Sequence, residues 1–553
     1  MEGRPATVAQ DGGKGVGVTG LSDPILSRMV EEDPVPWYKK PNLRRLYLLL
    51  FPACMGIEMT SGFDSQMINS LQFIPPWNRY FGRPDPNPAN GYTLTPQTLG
   101  LVSACYSLGA IVGLPFIGAF NQAFGRRWSI MFGSWVMVAG ALLQGFSVHI
   151  AMYIIARMLL GFGIVFCIVA GSAMIGELGY PKERARLTSL FNSSYFIGAI
   201  VASGIALGTS KITSNWAWRI PSLLQMAPSI LQISAVFFLP ESPRYLISKD
   251  RNEEAYDILV KYHAEGDRDS VFVKAEMAQI QATISLELEA AKQSWWDMVA
   301  TPGMRRRTLI ASMLGLFTQW SGNTLISYYL SPILNLLGIK DAYRKNRINI
   351  GNNCWGLVNG TLAALIAPRL KRRTMFLTSC ISMLFVYVAW TITLEQSITS
   401  TENGGQLNKV ASGFTLFFIF LYSPAYNIGN NALTYTYLVE LFPFAERARG
   451  ISIEQLFGRL AGFFTTYVNS IALDAISWKY LIVYCVWILF EITFVYFMYP
   501  ETSGRTLEEL TFLFEDQALA NQATMAVEKQ IHHEDNSPDE QQKQQIVHVE
   551  KAD

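Results

Sequence analysis

Charge is what this sequence has least of. Asp, Glu, Lys and Arg make up 16% of its 553 residues, against about a quarter in soluble domains. The two signs nearly cancel, leaving a net charge of +1, so no global field points to nucleic acid. Histidine is rarer still. Of five, three lie in the polar C-terminal stretch, one in a central polar segment and His149 at a predicted helix end, which gives no basis for a metal site. The six cysteines (Cys54, Cys105, Cys167, Cys354, Cys380, Cys485) sit in or beside apolar runs without paired spacing. They read as small core residues rather than a disulfide or zinc framework. The polar, glycine-rich N-terminus has no signal-peptide core, so the first spanning helix is expected to act as the insertion signal. A nucleophile–base set and a phosphate loop are also missing. Asp11-Gly12-Gly13-Lys14-Gly15 belongs to a polar tail rather than a strand-to-helix turn. Neither an enzyme nor a cofactor is expected.

Apolar residues fill half of the chain, and they gather in blocks. Stretches such as Trp128–Phe146, Ala151–Ile175, Phe376–Leu394 and Leu481–Tyr499 reach the roughly 20 residues of a membrane-spanning helix. Twelve spans are expected, beginning near Leu46, Leu99, Trp128, Ala151, Leu187, Ala217, Leu309, Ile350, Met375, Phe414, Gly450 and Lys479. The fold class is therefore an all-α membrane protein. Its expected parts are an N-terminal tail (1–45), a six-helix half (46–240), a helical linker (241–307), a second six-helix half (308–500) and a polar tail (501–553). Helices are expected in the linker over Arg251–Tyr262 and Ser270–Lys292.

Lys39, Lys40, Arg44, Arg45, Arg126, Arg127, Lys182, Arg184, Arg186, Lys371, Arg372, Arg373, Arg447 and Arg449 fall on one side of a twelve-span chain. Basic loops stay in the cytoplasm, so both tails and the linker are expected there, with the plasma membrane as the host. Lys340, Arg344, Lys345 and Arg347 fall on the opposite side and are outweighed.

The two halves repeat one another. Glu177 precedes Glu183-Arg184-Ala185-Arg186, and Glu440 precedes Glu446-Arg447-Ala448-Arg449, with seven residues from the first Glu to the first Arg in both. Gly125-Arg126-Arg127 recurs as Lys371-Arg372-Arg373, and Pro240-Glu241-Ser242 as Pro500-Glu501-Thr502. Three features in the same order, about 250–260 residues apart, imply internal duplication.

With these residues in hand, the chain resembles the sugar porters of the major facilitator superfamily over essentially all its membrane region. The resemblance rests on Gly62-Phe63-Asp64, Gly125-Arg126-Arg127, Arg157-Met158-Leu159-Leu160-Gly161, Pro240-Glu241-Ser242-Pro243-Arg244, Gln319-Trp320-Ser321-Gly322-Asn323, Tyr328-Tyr329 and Pro500-Glu501-Thr502-Ser503-Gly504. Within that family, Gln319–Asn323, Lys261-Tyr262-His263 and Ala472-Leu473 with Trp478-Lys479-Tyr480 are most similar to fungal lactose- and cellodextrin-type permeases. The resemblance implies two pseudo-symmetric six-helix halves that rock around a midplane site.

It also implies residue roles. Asp64 stands in an apolar span, where a charge needs a partner or a proton. Similar proton-coupled porters place an Arg opposite it, here Arg157. The alternative is a static ion pair that fixes helix packing. Arg126, Arg127, Glu177, Arg184, Glu241, Arg244, Arg372, Arg373, Glu440 and Arg447 correspond to a cytoplasmic gate, with Glu177 expected near Arg184 and Glu440 near Arg447. Gln122, Ala123, Pro368 and Lys371 depart from that gate pattern. Amides and aromatics suit sugar hydroxyls and ring faces. The implied set is Asn192, Gln319, Asn323, Tyr328, Asn353 and Tyr435, although Thr318, Thr324 and Tyr435 stand where the family usually has Gln, Asn and Trp. Arg459 takes the place of an amide in span eleven. It is expected to pair with Glu454 or Glu58, or else to receive an anionic group of the substrate.

The leading expectation is proton-coupled uptake of a sugar, disaccharide or hexose, by alternating access, with the sugar, protons and the lipid bilayer as partners. Transport of a modified or acidic metabolite on the same fold is the alternative. A non-transporting sugar sensor would need a signalling extension, and the tail after Phe514 offers no folded module.

Overall fold

The computed structural model describes residues 35–84, 92–291, 294–339, 341–366, 370–402, 408–443, 446–503 and 514. Lys340, Pro368, Gly504 and the polar tail named above lie outside these residues. The N-terminal half is built from α1 (Pro41–Leu71), α2 (Pro96–Phe124), α3 (Arg126–Gly145), α4 (Ile150–Leu178), α5 (Pro181–Thr209) and α6 (Trp216–Phe238). The C-terminal half has α7 in two pieces (Pro302–Trp320 and Asn323–Leu336), α8 (Ala342–Ile366) and α9 (Arg372–Glu402). There follow α10 (Lys409–Tyr426, a π-helical turn Asn427–Asn431, then Ala432–Leu441), α11 (Arg447–Ile476) and α12 (Tyr480–Met498). A short antiparallel ribbon pairs Arg83 with Thr93 and Pro84 with Tyr92 between α1 and α2.

Local sequence explains the ends. Pro96, Pro181 and Pro302 occupy the first helical turn, where a missing N–H costs nothing. The hydroxyls of Thr95 and Thr301 cap α2 and α7 by accepting from Thr98 and Met304. Gly125, at φ +89, turns the chain sharply from α2 into α3, and a Cβ there would lie 2.6 Å from the Glu241 carboxylate.

Among the described residues seven helical stretches are long and apolar enough to span a membrane, one of them running Arg449–Met498 through both α11 and α12, and Ser193–Thr209 of α5 is a shorter apolar stretch. The spans α7, α8 and α10 carry more polar residues, and they supply much of the wall of the central cavity described below. Large apolar side chains such as Phe116, Trp135, Phe237, Phe385, Phe417, Val486 and Phe497 are exposed around the outside. In water that surface would be an aggregation hazard; in lipid it is the solvated face.

Bare backbones let helices meet closely. A Cβ on Gly62 would collide with the Tyr195 carbonyl, and one on Gly198 with that of Met59, which seats α1 on α5. Gly109 and Gly161 do the same for α2 and α4 against Met158 and Tyr106.

The linker folds on itself through Pro243–Ser248, Asn252–His263 and Val271–Ala291, burying Leu246, Leu259, Val273 and Met277. It docks on the first half. Glu265 accepts from the backbone N–H groups of Asn42 and Leu43, both at 3.0 Å, capping α1. His263 Nδ1 lies 2.7 Å from Glu276 Oε2, and its Nε2 lies 3.3 Å from the carbonyl oxygen of Leu178, the last residue of α4.

Candidate functional site

A cavity of about 340 Å3 lies between the halves, at the lower end of the about 300–1,000 Å3 typical of small-molecule sites. Amides and hydroxyls make up most of its wall, with Phe196, Ile326 and Ile419 among the apolar lining. Gln66 of α1, Gln319 and Asn323 of α7, Asn352 and Asn353 of α8, and Asn427, Asn430 and Asn431 of α10 supply the amides. Tyr106, Tyr195, Tyr328, Tyr422 and Tyr426 supply the rings. Of the residues expected to bind substrate, Gln319, Asn323, Tyr328, Asn353 and Arg459 line this space. The side chains of Asn192 and Tyr435 lie outside the described ones.

The break in α7 sets Gln319 and Asn323 on either side of a bend. Gly322, at φ +94, permits it. Its carbonyl accepts from the Tyr387 hydroxyl (3.2 Å), the Ser321 carbonyl accepts from Tyr422 (3.0 Å), and the Ser321 hydroxyl reaches the buried Glu491 carboxylate (3.0 Å). Trp320 donates to the Ala461 carbonyl (3.1 Å) and faces away from the cavity.

Behind the wall, Arg157 Nη1 donates to Asp64 Oδ1 at 2.5 Å, and both residues are fully buried. Gln225, in the break between the two pieces of α6, donates to the same oxygen at 2.5 Å. Arg157 also donates to the Val102 carbonyl (3.4 Å) and lies 5.3 Å from the Tyr106 ring. Among the described residues Asp64 Oδ2 has no hydrogen-bond partner. Ser65 and Tyr106, neighbours of this pair, line the cavity, so the ion pair sits one residue behind it.

Beyond Asp64 the halves are stitched together. Gln72 donates to the Tyr328 carbonyl (2.8 Å), Asn69 to Asn349 (3.3 Å), and both Asn349 (3.0 Å) and Asn353 (3.1 Å) to Ser203. Ser65 and Tyr328 share a hydrogen bond of 3.1 Å.

At the opposite ends the duplicated motifs form duplicated networks. Arg126 pairs with Glu177 at 3.1 Å, and Ser242 donates to the same carboxylate. Glu241 accepts from the N–H groups of Arg126 and Arg127 at the start of α3, and Arg127 donates to the Phe237 carbonyl at 2.5 Å. In the second half Arg372 pairs with Glu440 at 3.1 Å and Thr502 donates to Glu440. Glu501 accepts from the N–H groups of Arg372 and Arg373, and Arg373 donates to the Tyr496 carbonyl at 2.5 Å. Glu177 and Glu440 are thus each paired with an Arg at the start of a neighbouring helix. Arg184 lies 3.8 Å from Glu276 of the linker. Tyr245 donates to the carbonyl of Ala123, one of the residues that depart from the gate pattern. Burial pushes the Glu241 carboxyl above its ordinary value, partly opposed by the backbone N–H groups it caps. Burial also raises the Glu276 carboxyl, but His263 and then Arg184 outweigh it and hold the group below its ordinary value.

Sequence reasoning missed Gln225 and the amides of α10. An amide between two proline-containing turns, Pro221 and Pro228, and three asparagines within Asn427–Asn431 of an apolar span were the available signals.

A lipid-faced bundle of two repeated halves around a polar cavity, with ion pairs at its helix ends, is the architecture of a membrane transporter rather than an enzyme. The chain belongs to the family described as “Sugar (and other) transporter”, whose sequence model matches residues 49–514. It is 27% identical over 519 residues to a high-affinity glucose transporter of Kluyveromyces lactis, covering 90% of each chain. It is 30% identical over 419 residues to the MFS-type transporter oryC of Aspergillus oryzae, covering 75% of this chain and 76% of that one. The inward-open conformation of the xylose transporter XylE from E. coli superposes with a TM-score of 0.68 at 19% identity, over 85% of this chain and 100% of that one. The proton:xylose symporter XylE bound to 6-bromo-6-deoxy-D-glucose gives 0.66 at 20% identity, over 85% and 99%.

Proposed function

We propose that the protein is a proton-coupled sugar importer that works by alternating access, and that the described conformation faces the cytoplasm. The observation that carries the coupling is the Asp64–Arg157 pair. It is buried one residue behind the cavity, and Asp64 Oδ2, without a hydrogen-bond partner among the described residues, is open to a proton. Protonation of Asp64 from outside neutralises the carboxylate and releases Arg157. Arg157 then relaxes toward the Val102 carbonyl and the Tyr106 ring, and Tyr106 is itself part of the sugar wall. Loss of the proton on the cytoplasmic side restores the pair. Each positive charge carried inward gains about 2.3 kcal/mol per 100 mV of membrane potential.

Gln319, Asn323, Asn353 and, by the family resemblance, Asn192 and Tyr435 would hold the sugar, with Tyr328 closing the outer side through Ser65. The stitched ends at Gln72, Asn69 and Asn349 are the extracellular seal, and the Arg126–Glu177 and Arg372–Glu440 networks brace the inner ends of each half. Residues 46–240 and 308–500 are the moving halves, the segment 241–307 is a cytoplasmic strut, and both tails are cytoplasmic in a plasma-membrane protein. The relatives transport glucose and xylose by name, which supports a sugar here.

The test is radiolabelled uptake in transporter-deficient cells, comparing lactose, cellobiose and glucose at acidic and neutral pH, with and without an uncoupler. Saturable uptake that the uncoupler abolishes is expected. Uptake of a sugar that ignores both pH and uncoupler would refute coupling.

A further inference from the structure

Three charged residues line the cavity: Glu58 of α1, and Glu454 and Arg459 of α11. The crossing of α7 and α11 builds their wall. A Cβ on Gly315 would lie 2.6 Å from the Glu454 carbonyl oxygen, and one on Gly458 would lie 3.8 Å from Glu454 Oε1. A turn further on, Gly462 sits against Gln319 Oε1, where a Cβ would come to 3.2 Å. Glu454, Arg459 and Gln319 therefore share one wall. Glu454 is buried and accepts from Gln455 at 3.0 Å, while Glu58 and Arg459 are half-buried. Glu58 belongs to the other half. No ion pair joins the three among the described residues, and all three face the same small cavity.

We propose that Glu58 and Glu454 determine specificity by reserving Arg459 for hydroxyl groups, so that the cavity accepts neutral polyols and rejects sugar acids. The inference rests on the cavity being the sugar site. A guanidinium alone in this wall would attract a carboxylate or phosphate. Carboxylates lining the same small cavity offset that field and oppose a substrate anion. Behind the wall Arg157 is matched by Asp64 and adds no net positive charge. The same trio suits hydroxyls. The carboxylates accept from them and the guanidinium donates to them, each bond charge-assisted and stronger than one between neutral groups. The rest of the wall consists of neutral amides, hydroxyls and rings that complete the pattern.

The test compares uptake of glucose and glucuronate by the wild type and by Glu58→Gln, Glu454→Gln and the double variant in transporter-deficient cells, normalised to surface protein. The wild type is expected to carry glucose and exclude glucuronate. Each single variant should move the glucuronate-to-glucose ratio upward, and the double variant by roughly tenfold or more. Adding Arg459→Gln to the double variant should abolish the gain. Equal wild-type uptake of the two compounds, or variants that change both in proportion, would overturn the inference while leaving sugar transport in place. Uptake of neither compound by the wild type would overturn both. Should the double variant not reach the membrane, the two single variants carry the same comparison.

Discussion

Replacing Asp64 by Asn leaves Arg157 charged and buried with little to compensate it. The residue keeps a 3.4 Å bond to the Val102 carbonyl and the Tyr106 ring at 5.3 Å, and loses the anion that lay at 2.5 Å. The kept contacts are the same before and after the substitution, so they do not offset the loss. Removing one partner of a buried pair costs about 3–5 kcal/mol, which is the expected destabilisation for Asp64→Asn. Asp64→Asn with Arg157→Gln removes both charges and should recover most of it, since neutral replacements of buried pairs are often close to neutral in stability. Thermal unfolding of the detergent-solubilised protein, read as a double-mutant cycle, measures this directly. The recovered double variant should be stable yet unable to couple protons to transport. Equal stability of wild type and Asp64→Asn, or a double variant no better than the single, would refute the reading of a mutually compensating pair.

The Arg126–Glu177 and Arg372–Glu440 networks lie in separate halves. Glu177→Gln and Glu440→Gln should each destabilise by about 1.5–3 kcal/mol, and the double variant by the sum; thermal unfolding that departs from additivity would show that the networks meet. Gly161→Leu should abolish folding, because any side chain there meets the Tyr106 carbonyl; a well-behaved size-exclusion peak from fluorescent fusion protein would contradict this. Because His263 and Arg184 hold the Glu276 carboxyl below its ordinary value, its stabilising contribution is complete above the unfolded-chain value and disappears as pH falls through the lower folded-state value. The difference in melting temperature between wild type and Glu276→Gln should therefore shrink on acidification across the carboxylate range, and a constant difference would contradict the assignment.

The sequence carried the architecture because lipid demands long uninterrupted apolar runs, which compact soluble cores do not. The spans α7, α8 and α10, which carry more polar residues, help form the cavity wall, so their weaker signal reflected where they sit. Motif residues had readable physical reasons only in part. Gly62 and Gly161 let α1 and α4 reach their neighbours, and Gly322 bends α7. Asp64 was legible as a costly charge in an apolar span, and Arg157 as its partner only through the resemblance to proton-coupled porters. Gln225 was not, since it comes from a sixth helix whose break only the folded chain reveals. The pairing of Glu177 with Arg126 and of Glu440 with Arg372 was not legible for the same reason. Repetition identifies which residues matter together with their copies, but not which side chains of other helices they face. Arg459 was legible as an oddity, while its company of two carboxylates from opposite halves required the cavity.

Proton movement with sugar tests the central claim most directly. The purified protein, reconstituted in liposomes carrying an internal pH dye, is given an inward gradient of the transported sugar with no pre-set pH gradient. Sugar-dependent acidification of the lumen, saturable and absent in Asp64→Asn with Arg157→Gln, is the predicted result. Sugar entry at the same rate without any change in internal pH would contradict proton coupling and leave the Asp64–Arg157 pair as a packing element alone.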